Sequence, residues 1–331
     1  MNSTEVSIAT CLAINAAETA QEIESAICDI VLRKLRRKGI VVGLSGGVDS
    51  SVVAALCVRA LGSKQVVGVM MPERECSDDS VHLATRLADA LGMETVIEDI
   101  TGVLEATGCY RRRDDAIRKL VPEFNASCKC KLVVPGIASG AHYAIPSLVI
   151  ESGNGNLQKL RLNADVYLEI VAATNFKQRV RKMFEYHHAD RLQYAVAGTP
   201  NRLEYEQGFF VKNGDGAADL KPIAHLYKSQ VYQLAAYLAL PKEIRERPST
   251  TDTFSMPQSQ EEFYFSVPLH ILDLCLYGKN HDMPHEEIAR LAGLSVAEVG
   301  TVLHSIDSKR KATAYLHQPP LLIEEIHSMA A

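Results

Sequence analysis

The chain has 331 residues, of which 47% are hydrophobic and 23% charged, and its formal net charge is −5. This composition is ordinary for a globular protein, and the acidic balance argues against the basic face that broad nucleic-acid binding needs. No apolar run in the sequence approaches the roughly 20 residues that span a bilayer. We therefore expect no nucleic-acid partner and no membrane insertion.

The first ten residues, MNSTEVSIAT, lack the basic region and long apolar core of a signal peptide. Eight cysteines in a chain of this length do not form a disulfide scaffold, so we expect reduced thiols and a cytoplasmic protein. Cys128 and Cys130 form the one closely spaced pair. Two ordinary thiols in a hairpin are favoured there over a metal or redox site, although the spacing leaves both open.

The first predicted element is an amphipathic helix over residues 19–37. Its apolar residues recur at helical spacing, and a cluster of cations precedes Gly39, as is typical of a helix carboxyl end. We treat residues 1–38 as an amino-terminal helical segment ahead of a single domain that spans residues 1–331.

A strand, a tight glycine turn and a helix follow, and the turn has the sequence SGGVDS, Ser45–Ser50. Such a turn aims backbone N–H groups and the positive end of a helix dipole at one point, which makes an anion site. Gly46 and Gly47 permit close approach of a phosphate, and the hydroxyls of Ser45, Ser50 and Ser51 add donors.

Asp49 is unusual in a phosphate loop, because a carboxylate repels phosphate unless a divalent cation lies between them. The residue therefore indicates Mg²⁺. The GxxxxGK[ST] pattern of Walker loops is absent, since the turn contains no lysine. A serine-rich helix cap with glycines for the turn is the simpler alternative.

Further apolar strands alternate with amphipathic helices along the chain, which predicts an α/β fold: a doubly wound parallel sheet with flanking helices. The predicted strands cover residues 39–44, 65–71, 94–100 and 194–197, and the predicted helices cover residues 77–91 and 165–188. Ligands of such sheets bind beyond the carboxyl ends of the strands. Met71-Pro72 and Gly198-Thr199 join the SGGVDS turn at that edge. Residues 109–163 break the pattern and predict a hairpin-bearing insertion.

Three later segments could also carry chemistry. Four cations within residues 175–182 predict either a solvated helix face or an anion site. Glu204 begins a helix after the 194–197 strand, so it is either an ordinary first-turn glutamate or a second carboxylate for Mg²⁺. Lys228 opens a helix, where a cation is unfavourable unless an anion lies nearby. The glycine-rich loop 208–219 is, on its own chemistry, a plain turn.

Taken together, the motifs SGGVDS, NFKQRVR, GTPNRLE, GFFVKNGDGAADLKPI, LYKSQV, PSTTD and SKR resemble the ammonia-dependent NAD⁺ synthetases of the PP-loop ATP pyrophosphatase superfamily. The resemblance covers most of residues 39–310, and SGGVDS identifies only the superfamily. It implies an adenine nucleotide alpha hydrolase-like fold and a C–N ligase that amidates deamido-NAD⁺ with ammonia through an acyl adenylate. The products would be NAD⁺, AMP and pyrophosphate.

The resemblance also implies roles for individual residues. The implied catalytic residues are Asp49, Lys228 and Asp215, and the implied Mg²⁺ ligands are Asp49 and Glu204. The implied ATP-binding residues are Ser45, Gly46, Gly47, Val48, Asp49, Ser50, Ser51, Met71, Arg179, Thr199, Lys228 and Thr250. The implied deamido-NAD⁺-binding residues are Asn175, Lys212, Asp215, Asp219, Lys309 and Arg310. The chain has Pro200-Asn201 where the family commonly has Asp-His.

Two alternatives stay open: a PP-loop amide-forming ligase for a different small carboxylate, and a non-catalytic nucleotide-binding relative. The residues before the first strand are too few for a glutaminase domain, so free ammonia is the expected nitrogen source and a separate glutaminase the fallback. Members of the family are typically homodimers, which makes a homodimer the expected assembly.

Overall fold

The computed structural model describes residues 10–76, 78–136, 146–251 and 253–324. Parts of two predicted segments, residues 1–9 of the amino-terminal segment and 137–145 of the insertion, lie outside the described residues. All eight cysteines are free thiols, as the sequence predicts.

A parallel sheet of four strands lies at the centre of the fold, in the order β3-β2-β1-β7. Its strands are β1 Ile40–Gly43, β2 Val66–Met70, β3 Glu94–Ile97 and β7 Ala195–Ala197. Ile40 of β1 is paired with Val66 on one side and with Ala195 on the other. Because consecutive strands run to one side of β1 and the last lies on its other side, the order reverses between β1 and β7. Such a reversal is where open α/β sheets bind ligands.

Helices cover both faces of this sheet, which confirms the doubly wound α/β prediction. Alternate residues of β1 reach the two faces, so Val42 lies in one core cluster and Val41 in the other. The first face carries α1 Ala16–Cys28, α2 Val48–Leu61, α3 Asp78–Leu91 and, later in the chain, α8 Lys228–Tyr237. The second face carries α4 Thr101–Ala106, α5 Cys109–Arg118 and α6 Ala164–Leu192.

The predicted elements are present with shifted ends, and local hydrogen bonds explain the shifts. Helix α1 begins earlier than predicted because the Asn15 side chain accepts a hydrogen bond from the Glu18 amide, and after Cys28 it continues as π-helical turns over Asp29–Lys34. Helix α6 begins where the Asn163 side chain accepts from the Val166 amide. It therefore extends beyond both predicted ends.

The predicted insertion contains a second, antiparallel sheet with the order β4-β5-β6. Its strands are β4 Lys129–Val133, β5 Ser147–Glu151 and β6 Leu157–Arg161, and its buried face packs on α5 and α6. The hairpin between β5 and β6 agrees with the prediction for this segment. Helix α5 was not predicted, because its residues are mostly charged and only a few apolar side chains mark its buried face.

Four of the remaining helices form a separate core cluster, namely α7 Arg202–Gln207, α10 Leu269–Asn280, α11 His285–Ala292 and α12 Val296–Thr313. Helix α9 Lys242–Glu246 packs instead in the core of the first sheet face, through Ile244. A loop of residues 247–268 connects α9 to α10 and contains one π-helical turn, Glu261–Phe265. Within the described part of the chain, every helix is too short or too polar to cross a bilayer.

Candidate active site

The SGGVDS turn lies between β1 and α2, at the carboxyl edge of the sheet. Gly46 has a φ of +72°, and a Cβ atom there would lie 2.6 Å from the carbonyl oxygen of Ser80. Only glycine combines that backbone conformation with so close an approach. The Ser45 hydroxyl accepts from the Gly47 amide at 3.3 Å and lies 3.1 Å from the Ser50 hydroxyl. The turn is therefore held in shape by its own serines.

Val48, Asp49 and Ser50 form the first turn of α2, where backbone N–H groups have no carbonyl one turn earlier to bind. These free N–H groups are what the predicted anion site requires. Ser50 and Ser51 are both buried and both donate to the Gly47 carbonyl, at 3.1 and 2.8 Å, and the Ser50 hydroxyl also contacts Ser45. Both hydroxyls therefore stabilise the helix start, and their phosphate contacts stay a prediction.

Asp49 and Glu204 come together although 155 residues separate them, and Asn201 connects the two. The Asn201 side-chain nitrogen donates to Asp49 Oδ1 at 3.1 Å, and its backbone N–H donates to Glu204 Oε2 at 3.1 Å. The Asn201 side-chain oxygen also caps helix α7 by accepting from the Glu204 amide. At a position where the family commonly has histidine, the Asn201 side chain thus binds Asp49 and caps α7, and its backbone N–H binds Glu204.

Lys228 pairs with Asp49 Oδ2, and both groups are well buried. The backbone amides of Lys228 and Ser229 donate to the carboxylate of Asp273, at 3.0 and 2.7 Å, which anchors the start of α8 to α10. Sequence reasoning missed Asp273, since it lies inside a helix that carries none of the motifs. Asp273 is fully buried and accepts from the amides that begin α8, so we infer that it orients Lys228.

The pKa values of this cluster follow from burial and mutual charge. Burial and then the neighbouring Asp49 raise the pKa of Glu204 well above its usual range. Burial lowers the pKa of Lys228, but Asp49 and Glu204 outweigh it, so that this pKa is raised overall. Burial raises the pKa of Asp273 to about 6, against its hydrogen bonds from Ser229 and Lys228. One ammonium thus faces two carboxylates, and a second cation would relieve their repulsion.

This donor set fits Mg²⁺. Magnesium commonly takes one or two protein carboxylates and completes its coordination with phosphate oxygens and water. Asp49 and Glu204 would be the two carboxylates, beside a turn that binds phosphate. Within the described ranges, no group of three or more His, Cys, Asp or Glu side chains could hold a metal, so phosphate oxygens would have to supply further ligands.

Arg247 is a second residue that the sequence analysis missed. Its guanidinium donates to the Gly46 carbonyl at 3.4 Å and to the Ser80 hydroxyl at 3.0 Å, so it connects the SGGVDS turn with helix α3. Its position directly before PSTTD was the available signal. Thr250, in that motif, is exposed and bridges to Ser259 across the loop.

The cationic stretch of α6 is only partly a solvated face. Lys177 is almost fully buried and donates to Glu73, Glu75 and the Thr253 carbonyl at 2.7–2.9 Å. Arg113 completes this buried ion cluster by pairing with Glu75 at 2.7 Å. The cluster joins the segment after β2, which begins at Met71-Pro72, to the 247–268 loop.

The two predicted ligand residues on this stretch lie outside the cluster. Arg179 is exposed and donates to the Lys212 carbonyl at 3.3 Å, while Asn175 is half-buried. Thr199 lies half-buried between β7 and α7, and Met71 is buried at the end of β2. These four residues therefore surround the sheet edge without joining the Asp49–Glu204 pair.

The loop 208–219 is held in place by two aspartates that accept hydrogen bonds from backbone amides. Asp215 accepts from the Val211 amide at 2.8 Å, and burial raises its pKa. Asp219 accepts from the Val196 amide at 2.7 Å and fixes the loop to β7. Lys212 donates to the carbonyls of Tyr315 and Gln318, at 2.8 and 3.0 Å. Both predicted substrate-binding aspartates therefore have structural partners.

The two predicted ligands on α12 differ in availability. Lys309 has its ammonium 5.0 Å from the centroid of the Tyr264 ring, and burial lowers its pKa to about 8. Arg310 forms an ion pair with Glu206 and donates to Asn280 at 2.7 Å. The guanidinium of Arg310 thus joins α12 to α7 and α10, which is a structural contact.

Comparison with known proteins identifies the family of the chain. The model of the family described as NAD synthase matches residues 19–134 and 148–316. The NH(3)-dependent NAD(+) synthetase of Mesorhizobium japonicum is 55% identical over 315 residues, covering 95% of this chain and 99% of that protein. The NH(3)-dependent NAD(+) synthetase of Thermotoga maritima is 36% identical over 253 residues, covering 76% of this chain and 84% of that protein.

Solved structures show the same fold at lower identity. The NH3-dependent NAD synthetase of Campylobacter jejuni superposes with a TM-score of 0.60 at 22% identity, over 94% of this chain and 100% of that chain. The NMN synthetase of Francisella tularensis gives a TM-score of 0.59, also at 22% identity, over 94% of this chain and 99% of that chain.

Proposed function

The chain belongs to the NAD synthase family, and we propose that it is an ammonia-dependent NAD⁺ synthetase. It amidates deamido-NAD⁺ at the expense of ATP and releases AMP and pyrophosphate. The observation that carries the proposal is the convergence of Asp49, Glu204 and Lys228 beside the SGGVDS turn, at the point where the strand order reverses. Close relatives along nearly the whole chain carry this activity in their names.

The reaction needs activation because a nicotinate carboxylate has a poor leaving group. Transfer of AMP from ATP to this carboxylate gives an acyl adenylate, and ammonia then displaces AMP to form the amide. The SGGVDS turn binds the phosphates, and Lys228 offsets negative charge that develops on them. When bound, Mg²⁺ supplies further charge neutralisation, with Asp49 and Glu204 as its protein ligands.

Positioning supplies the rest of the catalysis. Asp273 orients Lys228 through the start of α8, and Asn201 orients Asp49. The 247–268 loop covers the cluster and keeps water from the acyl adenylate, which water would hydrolyse. Lys212, Lys309 and the loop 208–219 would form the wall that holds deamido-NAD⁺.

The assembly and nitrogen source belong to the same proposal. We expect a homodimer, and the exposed Leu32 and Leu35 at the end of the amino-terminal segment suit an interface, because apolar side chains favour burial. Free ammonia is the nitrogen source, with a separate glutaminase as the alternative. The free thiols suit a cytoplasmic protein.

The decisive experiment follows NAD⁺ and AMP formation from deamido-NAD⁺, ATP and Mg²⁺. Parallel reactions contain ammonium, glutamine or neither. NAD⁺ formed with ammonium, in equal amount to AMP, supports the proposal. ATP cleavage that requires a different carboxylate would contradict the assigned substrate while keeping the activation chemistry.

A further inference from the structure

Gln260 lies in the 247–268 loop, and its two amide atoms have different surroundings. Its Nε2 donates to Glu204 Oε1 at 2.9 Å, and the residue is only 9% exposed. Its Oε1 is buried and has no hydrogen-bond partner among the described residues. A buried carbonyl oxygen without a partner is unusual in a native protein, and this one belongs to an amide that already contacts a carboxylate of the Asp49–Glu204 pair.

The orientation of this amide follows from Glu204. In the structure the amide nitrogen donates to Glu204 Oε1, so the amide oxygen is the atom left for another partner. The unpaired oxygen is therefore a consequence of the contact with Glu204.

We propose that Gln260 Oε1 is a third protein ligand of the divalent cation that Asp49 and Glu204 hold. An amide oxygen is the hard donor that such a cation accepts beside carboxylates. Asn201 and Gln260 then act as a pair, since each donates its amide nitrogen to one of the two carboxylates. The inference rests on the proposed function, because the cation is part of it.

The small sheet holds Gln260 in place. The free edge of β4 binds the loop through Cys130, whose amide donates to the Ser255 hydroxyl at 2.9 Å and whose carbonyl accepts from the Met256 amide at 3.2 Å. Phe254 and Phe263 of the loop pack into the core beneath this sheet. The sheet thus holds the ligand-bearing loop in position before any cation binds.

The loop offers its own matched control. Gln258 lies two residues from Gln260, is equally buried, and also has an Oε1 without a partner in the described part of the chain. Its Nε2 donates to the Leu132 carbonyl of β4, so its side chain serves the sheet and not the carboxylates. The change Gln258→Leu therefore removes the same amide from the same loop, away from the cation.

The experiment titrates Mn²⁺ into protein and ATP, without deamido-NAD⁺ or ammonium, and follows free Mn²⁺ by electron paramagnetic resonance. Gln260→Leu should weaken Mn²⁺ binding by about 10-fold or more, the range seen when contacts around metal ligands are lost. Gln258→Leu should weaken it by less than about threefold on the same reasoning. Hydrogen exchange of the 253–262 amides shows whether either variant loosens the loop.

Equal losses of Mn²⁺ affinity in the two variants would overturn the proposal, since loop disorder would then explain both. Unchanged Mn²⁺ affinity in Gln260→Leu, with a raised KM for ammonium, would also overturn it and assign Oε1 to the nucleophile. Gln260→Glu keeps oxygen donors and should bind Mn²⁺ at least as tightly as the parent, even if Gln260→Leu folds poorly. Mn²⁺ binding does not depend on the acid substrate, so failure of the assigned substrate would be seen separately.

Discussion

The cation site and the loop 208–219 use carboxylates in opposite ways. Asp49 and Glu204 receive side-chain amide donors and a lysine, so their charges remain concentrated at one point. Asp215 and Asp219 are bound by backbone amides, so their charges fix the loop itself. The two pairs of predicted ligand-binding carboxylates thus differ in their partners, which are side chains in one region and backbone amides in the other. We expect the first pair to act on the ligand and the second pair to shape the loop.

The largest expected effect is on the cation side, from Lys228→Met. Removing the ammonium leaves Asp49 and Glu204 facing each other and the developing phosphate charge without its partner. We expect kcat/KM for ATP to fall by about 10²–10³-fold, the usual loss for a group that stabilises charge in the transition state. Steady-state AMP release measures it, with Lys242→Met at an exposed position of α9 as control. A loss below tenfold would contradict the catalytic role of Lys228.

The second test concerns the loop and uses Asp215→Asn. Weakening the contact with the Val211 amide should loosen the wall of the acceptor site, and we expect KM for deamido-NAD⁺ to rise by about tenfold. KM for ATP should change much less, because Asp215 binds the Val211 amide and the loop reaches Glu204 through the backbone, where the Phe209 N–H donates to the Glu204 carbonyl. Asp89→Asn, on the exposed side of α3, is the control. An equal rise in KM for ATP and for deamido-NAD⁺ would contradict separate roles for the loop and the cation site.

The third test exploits the raised pKa of Glu204. In the folded protein this carboxyl holds its proton to a higher pH than in the unfolded chain, so stability is lost as pH rises from the unfolded pKa through the folded one. Glu204→Gln should therefore raise the melting temperature at pH 8 by about 1–2 °C, the shift that roughly 1 kcal/mol gives a chain of this size. The gain should shrink towards pH 5.

Activity of this variant should be lost, because the neutral amide is a weaker cation ligand. Calorimetry at the two pH values gives the stability difference, and Glu246→Gln, at an exposed position of α9, shows the effect of an ordinary charge removal. A lower melting temperature at pH 8 would show that Glu204 is stabilised as a carboxylate in the folded protein.

The smallest expected effect separates neighbouring serines of the turn. Ser51→Ala removes a buried hydrogen bond to Gly47 and should cost about 1 kcal/mol of unfolding free energy, with kcat/KM within about twofold of the parent. Ser50→Ala should lower kcat/KM more, since the Ser50 hydroxyl also lies 3.1 Å from the Ser45 hydroxyl and helps to shape the turn that binds phosphate. Urea unfolding and steady-state kinetics distinguish them. The reverse order would place Ser51 at the phosphates.

The sequence predicts the sheet well because its strands give local signals. Apolar strands followed by polar turns reveal the carboxyl edge, and Asp49, Glu204 and Lys228 each lie in the first turn of a helix there, while the cation site that they form stays a prediction. The sequence could not place Asp273, Arg247 or Gln260. Their roles depend on contacts between segments that are distant in the chain, and the one local signal was the position of Arg247 beside PSTTD.

Helix α5 and the true partners of Asp215 and Asp219 were missed for a related reason. Most residues of helix α5 are charged, and its buried Arg113 belongs to the ion cluster around Lys177, which no local pattern predicts. A glycine-rich loop is predicted as a turn, but which backbone amides its carboxylates bind depends on the folded path.

The buried ion cluster of Glu73, Glu75, Arg113 and Lys177 has a consequence for how this protein can evolve. Losing one member leaves an uncompensated buried charge, at a cost of about 3–5 kcal/mol, whereas replacing all members by apolar side chains of similar volume is often neutral. Single substitutions in the cluster should therefore be strongly destabilising, whereas a combined replacement of all four residues should be tolerated. Across related sequences we expect these four positions, which span 105 residues of the chain, to vary together or not at all.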